Sequence, residues 1–431
     1  MLTSGDQAED VNRLLARLTE FQLLNSAEGA FDLRDSIRRA GNAYGVEADL
    51  LAIAEGAVLT VRHPDAALYA QTMRVNPELA RLDLVAECKF LINRVISGEL
   101  AAAEADSELV ALERRDPPYP AWLRIIGVVL FATGFAPSVQ ATWREVLDSL
   151  VLGAVMGVMF VAAERIRGVR SVFPIIGPFV IGLVAFNLLH AHLAPGGPLV
   201  LMVPALFVLI PGDFLCAAAA EIAVGQLTPG AVRLAQAAFT LVELALGVVV
   251  AAEVSGVSPD RLFSSTVPPV LPFWLVALSW APFTLGLVLT FTARMRDLPW
   301  IMALTYLAWG VQVGVTKWTG PTAGTFVAAV LLGAAAGALE RSPRNPPRIV
   351  LIIGGFFALT VGALALRGLA TLNGDHYIEG LTDLRDAISL TVALTLGLIV
   401  GAAPMLTHWG GHPRGNSGPD SRTRNERLIQ N

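Results

Sequence analysis

Long apolar runs fill the sequence from Trp122 onward and leave few folds open to it. A helix needs about 20 apolar residues to cross a hydrocarbon core of roughly 30 Å. A water-soluble fold cannot hide many such runs in succession. The pattern predicts about ten membrane-spanning helices, at residues 122–139, 146–163, 172–193, 198–224, 231–252, 270–291, 298–315, 321–339, 349–366 and 387–406.

A change of composition separates these runs from the first part of the chain. Only 16% of all residues are charged, against about 25% in soluble domains, yet residues 1–120 are strongly acidic and hydrophilic. We therefore predict four parts. They are an N-terminal region at 1–120, two five-helix membrane units at 121–255 and 268–407, and a disordered tail at 408–431.

The N-terminal region has the patterns of a small α+β domain. Apolar residues at helical spacing between Val11 and Phe21 predict one helix, and residues 31–45 predict a second that stops at Gly45. Residues 48–62 contain two strand-like runs, and residues 68–75 a third. Two more helices are expected, over 77–97 and in the acidic stretch before the prolines of DPPYP.

Basic residues favour one orientation in the bilayer, because cytoplasmic loops carry an excess of them. With residues 1–120 in the cytoplasm, the loops and tail on that side hold Arg165, Arg167, Arg170, Arg233, Arg294, Arg296, Arg341, Arg344, Arg348, Arg414, Arg422, Arg424 and Arg427. The opposite loops hold only Arg144, Arg261, Lys317, Arg367 and Arg385. We expect a multi-pass protein of the cytoplasmic membrane with both termini inside.

An internal repeat relates the two membrane units. Residues 209–251 align with 359–401 without gaps, and three glycine pairs coincide: Gly212/Gly362, Gly230/Gly380 and Gly247/Gly397. A second stretch aligns at an offset of 152 and pairs Pro120/Pro272, Trp122/Trp274, Phe131/Phe283 and Gly134/Gly286. Five helices per unit is an odd number, so the second unit is threaded in the opposite sense. The predicted fold is a membrane all-α protein with a 5+5 inverted repeat, an arrangement typical of secondary transporters.

The fourth span holds the candidate substrate site. Pro211 has no backbone N–H and Gly212 tolerates unusual backbone angles, so the helix is expected to break there. A broken helix presents N–H groups that suit a carboxylate, and Asp213 and Glu221 follow. A simple kink with Asp213 paired to a neighbouring helix is the alternative. Pro178, with Pro174, predicts a second irregular segment at the start of the third span, with prolines at an ordinary helix entry as the alternative.

Ionisable side chains within spans are the candidates for ion coupling. Glu243 lies deep in the fifth span and could carry a proton or cation, although an interhelical hydrogen bond is an equal alternative. Asp386 lies at the mouth of the tenth span, where an interfacial role competes with coupling. The sequence has no phosphate-binding loop for ATP, no protease motif, and no metal, cofactor or nucleic-acid signature, so no enzyme is expected.

Several motifs together resemble the threonine/serine exporter family, which includes relatives implicated in dicarboxylate export. They are, in chain order, LRDSIRRAGNAYG, VISGELAAAEADSELVALE, PPYPAWL and PALFVLIPGDFLCAAAAEIAVGQLTPGAVRLAQA. The resemblance covers about residues 21–401 and implies a fused form of two parts, about 25–255 and 270–401. Two positions depart from the family pattern: Val361 stands where a second proline is expected, and Gln236 stands where an acidic residue is expected. The roles of Asp213 and Glu243 are not carried over from the family.

Together these features predict a secondary-active exporter of small polar metabolites. The resemblance implies threonine and serine as substrates, with a proton or cation as the coupling ion and a lipid bilayer as the surroundings. Two alternatives stay open: export of dicarboxylates such as succinate, and a membrane sensor or enzyme without transport activity. A homo-oligomer stays open as a further partner.

Overall fold

The structure is a computed structural model of the chain. It describes residues 4–25, 30–53, 56–64, 67–74, 81–170, 172–189, 194, 197–223, 225–257, 271–342, 344–359 and 377–406. The predicted disordered tail and residues 360–376, which include Val361, lie outside these residues.

The N-terminal region has the predicted α+β composition. Its elements are α1 (Ser4–Asn25), α2 (Ala30–Ala43), β1 (Glu47–Ile53), β2 (Gly56–Arg62), β3 (Tyr69–Arg74), α3 (Leu82–Ile96) and α4 (Ala102–Glu113). The three strands form one antiparallel sheet in the order β1-β2-β3. Each predicted helix and strand of this region is confirmed, including the end of the second helix just before Gly45.

One hydrophobic cluster holds these elements together. Leu14, Leu15 and Leu18 of α1 are fully buried and pack in the same cluster as Leu50 and Leu59, which face each other across β1 and β2. The cluster contains residues between Val11 and Leu112. Leu51, which points to the opposite face of the sheet, is 62% exposed, as strand alternation requires. The sheet therefore covers the helices with one face only.

Apolar helices make up the rest of the described chain. They are α5 (Ala121–Phe135), α6 (Trp143–Arg165), the short α7 (Arg167–Arg170), α8 (Phe173–Asn187), α9 (Pro198–Leu206), α10 (Gly212–Ala223), α11 (Leu227–Val254), α12 (Phe273–Thr290), α13 (Leu298–Thr319), α14 (Pro321–Glu340), α15 (Arg348–Ala358) and α16 (Tyr377–Leu406). We refer to α5–α11 as the first group and to α12–α16 as the second group.

Seven helices in the described part of the chain are long and apolar enough to cross a membrane, namely α5 with its last turn, α6, α11, α12, α13, α14 and α16. The apolar helices α8, α9 and α15 are shorter. The helices lie at the positions of the predicted runs. The run predicted at 298–315 belongs to a longer helix of 22 residues. Trp122 and Trp274 are both 62% exposed near the starts of α5 and α12, where tryptophan favours the membrane interface.

The predicted interruption at Pro178 is wrong. Helix α8 runs from Phe173 to Asn187 with Pro178 inside it, and Pro174 occupies its first turn. Proline in the first turn needs no hydrogen-bond partner, and Pro178 removes only the bond to the carbonyl of residue 174. Pro178 is buried, and its Cβ atom lies 3.1 Å from the place where Gly247 of α11 would carry a Cβ. Its observed contact is with α11.

Helices α5 and α12 approach each other through two glycines that exchange equivalent contacts. A Cβ atom on Gly134 would lie 2.4 Å from the backbone nitrogen of Phe283, and one on Gly286 would lie 2.2 Å from that of Phe131. Residues 134 and 286, and likewise 131 and 283, are the partners in the sequence alignment. The contact is therefore reciprocal, as at an interface between two similar surfaces related by a two-fold axis.

A second pair of glycines repeats one packing arrangement in both groups. Around Gly247 of α11, the nearest atoms of α8 are the oxygen of Ile175, the Cβ of Pro178 and the nitrogen of Phe179. Around Gly397 of α16, the nearest atoms of α14 are the oxygen of Phe326, the Cβ of Ala329 and the nitrogen of Val330. The same three atom types recur with each residue number raised by 151.

Candidate functional site

The fourth apolar run breaks where the sequence predicts. Helix α9 ends at Leu206, a 3₁₀ turn covers Phe207–Leu209, and α10 begins at Gly212. Ile210 is extended, with φ −68° and ψ 121°, because the ring of a following proline disfavours helical angles. Pro211 and Gly212 are both buried. The structure thus has an interrupted helix at this point and not the alternative, a single helix with a kink.

The break leaves backbone groups at the start of α10 without helical partners. The first N–H groups of a helix have no carbonyl four residues earlier. The N–H of Gly212 turns back to the oxygen of Ile210 at 2.8 Å, and the helical pattern starts with Leu215 donating to Pro211 at 3.1 Å. The partial positive charge of a helix N-terminus accumulates at this point. The arrangement suits the carboxylate of a small ligand.

Aromatic rings surround the break. Gly212 faces the ring of Phe356, since a Cβ atom on Gly212 would lie 2.8 Å from two of its carbons. Phe207 stacks on Phe135 with ring centroids 4.1 Å apart and meets Phe357 edge-on at 5.2 Å. Phe207 belongs to the first group and Phe357 to the second. The break therefore lies where the two groups of helices meet.

Glu221 has a partner away from the break. Its Oε1 atom lies 3.4 Å from Nε of Arg233 in α11, and its side chain is 3% exposed. Glu221 follows Gly212 by nine helical residues, which is about 13 Å along the axis. The ion pair ties the second piece of the broken helix to α11. Asp213 is the second residue of α10, and its side chain lies outside the described structure.

The two coupling candidates occupy different surroundings. Glu243 is half-buried in the middle of α11, and no described residue forms an ion pair or hydrogen bond with it. Asp386 accepts a hydrogen bond of 2.8 Å from the neighbouring Arg385, and its side chain is 46% exposed. Both carboxylates are partly exposed.

The N-terminal region docks on the turn between α12 and α13 through the start of α3. The N–H of Leu82 donates to the oxygen of Phe291 at 3.1 Å. Leu82 is 2% exposed and belongs to the hydrophobic cluster of the apolar helices. The hydroxyl of Thr292 donates to Asp83 at 2.9 Å, across 209 positions of sequence. The contact is therefore buried and hydrogen-bonded, as contacts inside a folded domain are.

Charged groups extend this docking contact, which we call the α3 dock (Arg81–Phe90 with Phe291–Asp297). Arg81 holds Asp83 through two hydrogen bonds, of 2.7 and 3.2 Å. Arg294 donates to Glu87 at 3.1 Å and lies over the ring of Phe90 at 4.7 Å. Lys89 of α3 also reaches a residue outside the dock, since it donates to Glu340 of α14 at 2.8 Å. The N-terminal region is thus fastened to the second group, although the chain connects it to the first.

Tyr119 strengthens the same contact from the proline-rich segment before α5. Its hydroxyl donates to the oxygen of Ala293 at 2.7 Å. Burial, with the nearby carboxylates of Asp83 and Asp297, raises the pKa of the Tyr119 phenol above its ordinary value. The phenol therefore keeps its proton, and remains a donor, throughout the physiological pH range.

Sequence reasoning missed two sets of residues. The partners of the α3 dock lie about two hundred positions apart in the sequence, and no local pattern predicts such a contact. Phe207 and Phe357 did carry a signal, because they are 150 positions apart and lie two residues before the aligned block. An alignment extended by two residues would have paired them.

A bundle of apolar helices, seven of them in the described residues long enough to cross a membrane and one run broken in its interior, is typical of multi-pass membrane proteins of the transporter class. A sequence model described as "Putative threonine/serine exporter" matches residues 13–255. That match covers more than half of the chain, and the protein belongs to this family. Membership in an exporter family is consistent with a protein that is not an enzyme.

One curated relative is similar along most of the chain. It is a protein of Mycobacterium tuberculosis named "Probable threonine/serine exporter", 25% identical over 405 residues. The alignment covers 90% of this chain and 75% of the relative. No solved structure matches the chain significantly.

Proposed function

We propose that the protein is a secondary-active exporter of threonine and serine, driven by an ion gradient across the cytoplasmic membrane. The observation that carries the proposal is the break between Leu209 and Gly212 inside a bundle of apolar helices. Irregular backbone is tolerated at membrane depth only where it is buried in protein or lines a cavity. In secondary transporters such breaks bind the substrate.

The proposed fold has ten spans in two groups of five, threaded in opposite senses, at 121–255 and 268–407. The short helices α8, α9 and α15 supply the spans that length alone does not identify. The reciprocal contacts of Gly134 and Gly286, and the matching surroundings of Gly247 and Gly397, support a common structure for the two groups. Opposite threading lets one central site open to each side in turn.

Within this proposal, Pro211, Gly212 and Asp213 bind the substrate. The backbone N–H groups at the start of α10 receive its carboxylate, and the Asp213 carboxylate attracts its ammonium group.

Glu221 holds the second half of the broken helix through Arg233, and Pro178 fixes α8 against α11 beside the site. Glu243 carries the coupling proton or cation, with Asp386 near the membrane surface as the second candidate. Residues 1–120 and the tail after 408 lie in the cytoplasm.

Efflux from loaded cells tests the substrate. Cells that hydrolyse a threonine-containing dipeptide accumulate threonine, and those expressing the protein should release it faster than cells with an empty vector. Equal internal threonine with and without the protein would contradict the proposal. A parallel load of labelled succinate, with excess serine as competitor, distinguishes the amino-acid exporter from the dicarboxylate exporter.

Glu243→Gln tests the coupling. In proteoliposomes, the variant should lose threonine accumulation driven by a proton or cation gradient and keep threonine-for-threonine exchange, because exchange needs no net ion movement. Glu253→Gln, in the last turn of the same helix, is the matched control and should behave like the unmodified protein. Loss of both activities in Glu243→Gln would mean that this carboxylate has a structural role.

A further inference from the structure

Four phenylalanines from both helix groups meet in one cluster beside the broken helix. We call Phe131, Phe207, Phe283 and Phe357 the four-ring cluster. Phe131 contacts the other three, with ring centroids 4.7 Å from Phe283, 5.3 Å from Phe357 and 5.8 Å from Phe207. Phe207 and Phe357 lie 5.2 Å apart. All four side chains are buried, with exposures of 0%, 2%, 0% and 8% in chain order.

The cluster repeats the internal symmetry of the sequence. Phe131 aligns with Phe283 at an offset of 152, and Phe207 corresponds to Phe357 at 150. Each group therefore contributes one ring from its first apolar helix and one further ring: Phe207 lies in the 3₁₀ turn after α9, and Phe357 lies in the last turn of α15. The contacts of Phe131 with Phe283, of Phe131 with Phe357 and of Phe207 with Phe357 cross the boundary between the groups, whereas the contact of Phe131 with Phe207 lies within the first group. Any relative movement of the groups must change these contacts.

The chemistry of the cluster opposes the passage of a charged solute. A zwitterion loses its hydration among aromatic rings that offer neither donors nor counter-charges, at a cost of several kcal/mol for each uncompensated polar group. Hydrophobic constrictions close channels on the same principle. The cluster adjoins the break through Phe207, which lies three residues before Ile210, and through Phe356, which faces Gly212.

We propose that the four-ring cluster is the central barrier of the transport path, closed in this structure and separated when the two groups move. The inference rests on the proposed function and adds the element that keeps the pathway from leaking. The rings of Phe207 and Phe357 form two equivalent halves of the barrier, one from each group. Phe131 and Phe283 complete the barrier beside them, at the close approach of α5 and α12.

Passive leak through proteoliposomes tests the barrier independently of the substrate. Phe207→Leu and Phe357→Leu keep an apolar side chain but open a gap in the cluster. With no ion gradient applied, both variants should therefore raise the efflux of labelled glycine and labelled threonine from loaded proteoliposomes by about tenfold. Because the two positions are equivalent, the two variants should leak to a similar extent. Phe160→Leu is the matched control: Phe160 is also 2% exposed but packs on Phe173, outside the cluster.

These measurements distinguish a barrier role of the four-ring cluster from a purely structural role. They also distinguish a failure of the barrier proposal from a failure of the proposed function. A structural role alone would lower the melting temperature of all three variants and leave their leak at the level of the unmodified protein, and that result overturns the barrier. Leak in Phe160→Leu equal to that in the cluster variants would also overturn it. If the unmodified protein fails to drive threonine or serine with a gradient, while the cluster variants alone leak, then the proposed substrate is wrong and the barrier stands.

Discussion

Thr292 is the most constrained residue of the α3 dock. Its φ angle is 56°, in the left-handed region that β-branched residues rarely adopt, and its side chain is 1% exposed. The hydroxyl has one proton to donate and lies within hydrogen-bond distance of two acceptors, Asp83 at 2.9 Å and the oxygen of Phe291 at 2.8 Å. A strained conformation persists only where its surroundings enforce it. Here the buried carboxylate and the docked helix are those surroundings.

Thr292→Val should destabilise the protein by about 1–3 kcal/mol, because it removes a donor from a buried carboxylate while preserving shape. Thermal unfolding in detergent measures the effect. Thr319→Val is the control, since the exposed Thr319 hydroxyl bonds only within its own helix, and its cost should stay within about 0.5 kcal/mol. Equal stability of Thr292→Val and the unmodified protein would mean that the hydroxyl does not support the dock.

At the scale of elements, the close approach of α5 and α12 depends on two glycines. Gly134→Ala and Gly286→Ala place a methyl group against the backbone of the facing helix, which cannot move aside as a side chain can. Each should destabilise the fold by about 3 kcal/mol or more. The two effects should be similar, since the contacts are reciprocal.

Gly310→Ala provides the comparison for these glycines. A Cβ atom there meets nothing within 4 Å, so the change should stabilise α13 by up to about 1 kcal/mol through helix propensity. Thermal unfolding of the three purified variants decides the matter. A well-tolerated Gly286→Ala alongside a damaging Gly134→Ala would contradict the reciprocal arrangement.

Pro211→Ala tests the broken helix directly. Alanine restores a backbone donor and removes the clash that bends the chain, which favours a continuous helix by about 3 kcal/mol, or roughly a hundredfold in population. Threonine efflux should fall steeply while the folded protein remains abundant. Pro204→Ala, in the interior of α9, should leave efflux largely intact. Unchanged efflux in Pro211→Ala would remove the break from the mechanism.

The elements were predictable from sequence to the extent that their signals are local. Apolar runs located the helices, and Pro211 with Gly212 located the break, because a missing N–H acts on its own helix. Pro178 misled the prediction, since the same residue type is tolerated near a helix start when a glycine of the facing helix leaves room for it. The partners of Leu82 and Asp83 were out of reach, because tertiary contacts across two hundred residues leave no periodicity to read.

At the scale of the whole molecule, the N-terminal region joins the first group by the chain and the second group by its contacts. Lys89 and Glu340 form one of these contacts, with side chains 19% and 33% exposed. Glu340 also accepts the backbone N–H of Arg348 at 2.9 Å, which ties together α3, α14 and α15. A movement of the second group should therefore carry the N-terminal region with it.

Charge reversal at this pair measures the link. Lys89→Glu should cost at most about 1 kcal/mol, given its partial exposure, and Glu340→Lys should cost more because it also releases Arg348. The double variant should recover part of the loss in thermal stability. Arg13→Glu, at an exposed pair with Glu9, is the control and should change little. Absence of any recovery in the double variant would argue against a direct contact.

The central claim is that two helix groups of like structure cross the membrane in opposite senses. The turns after α5 and α12 are equivalent in the alignment, so they should face opposite sides. Single cysteines at the exposed positions 144 and 296, in a background with Cys88 and Cys216 replaced by alanine, can be labelled in intact cells with a membrane-impermeant maleimide. The account predicts labelling at 144 from outside, and at 296 only after the membrane is opened. Labelling of both positions from the same side would contradict it.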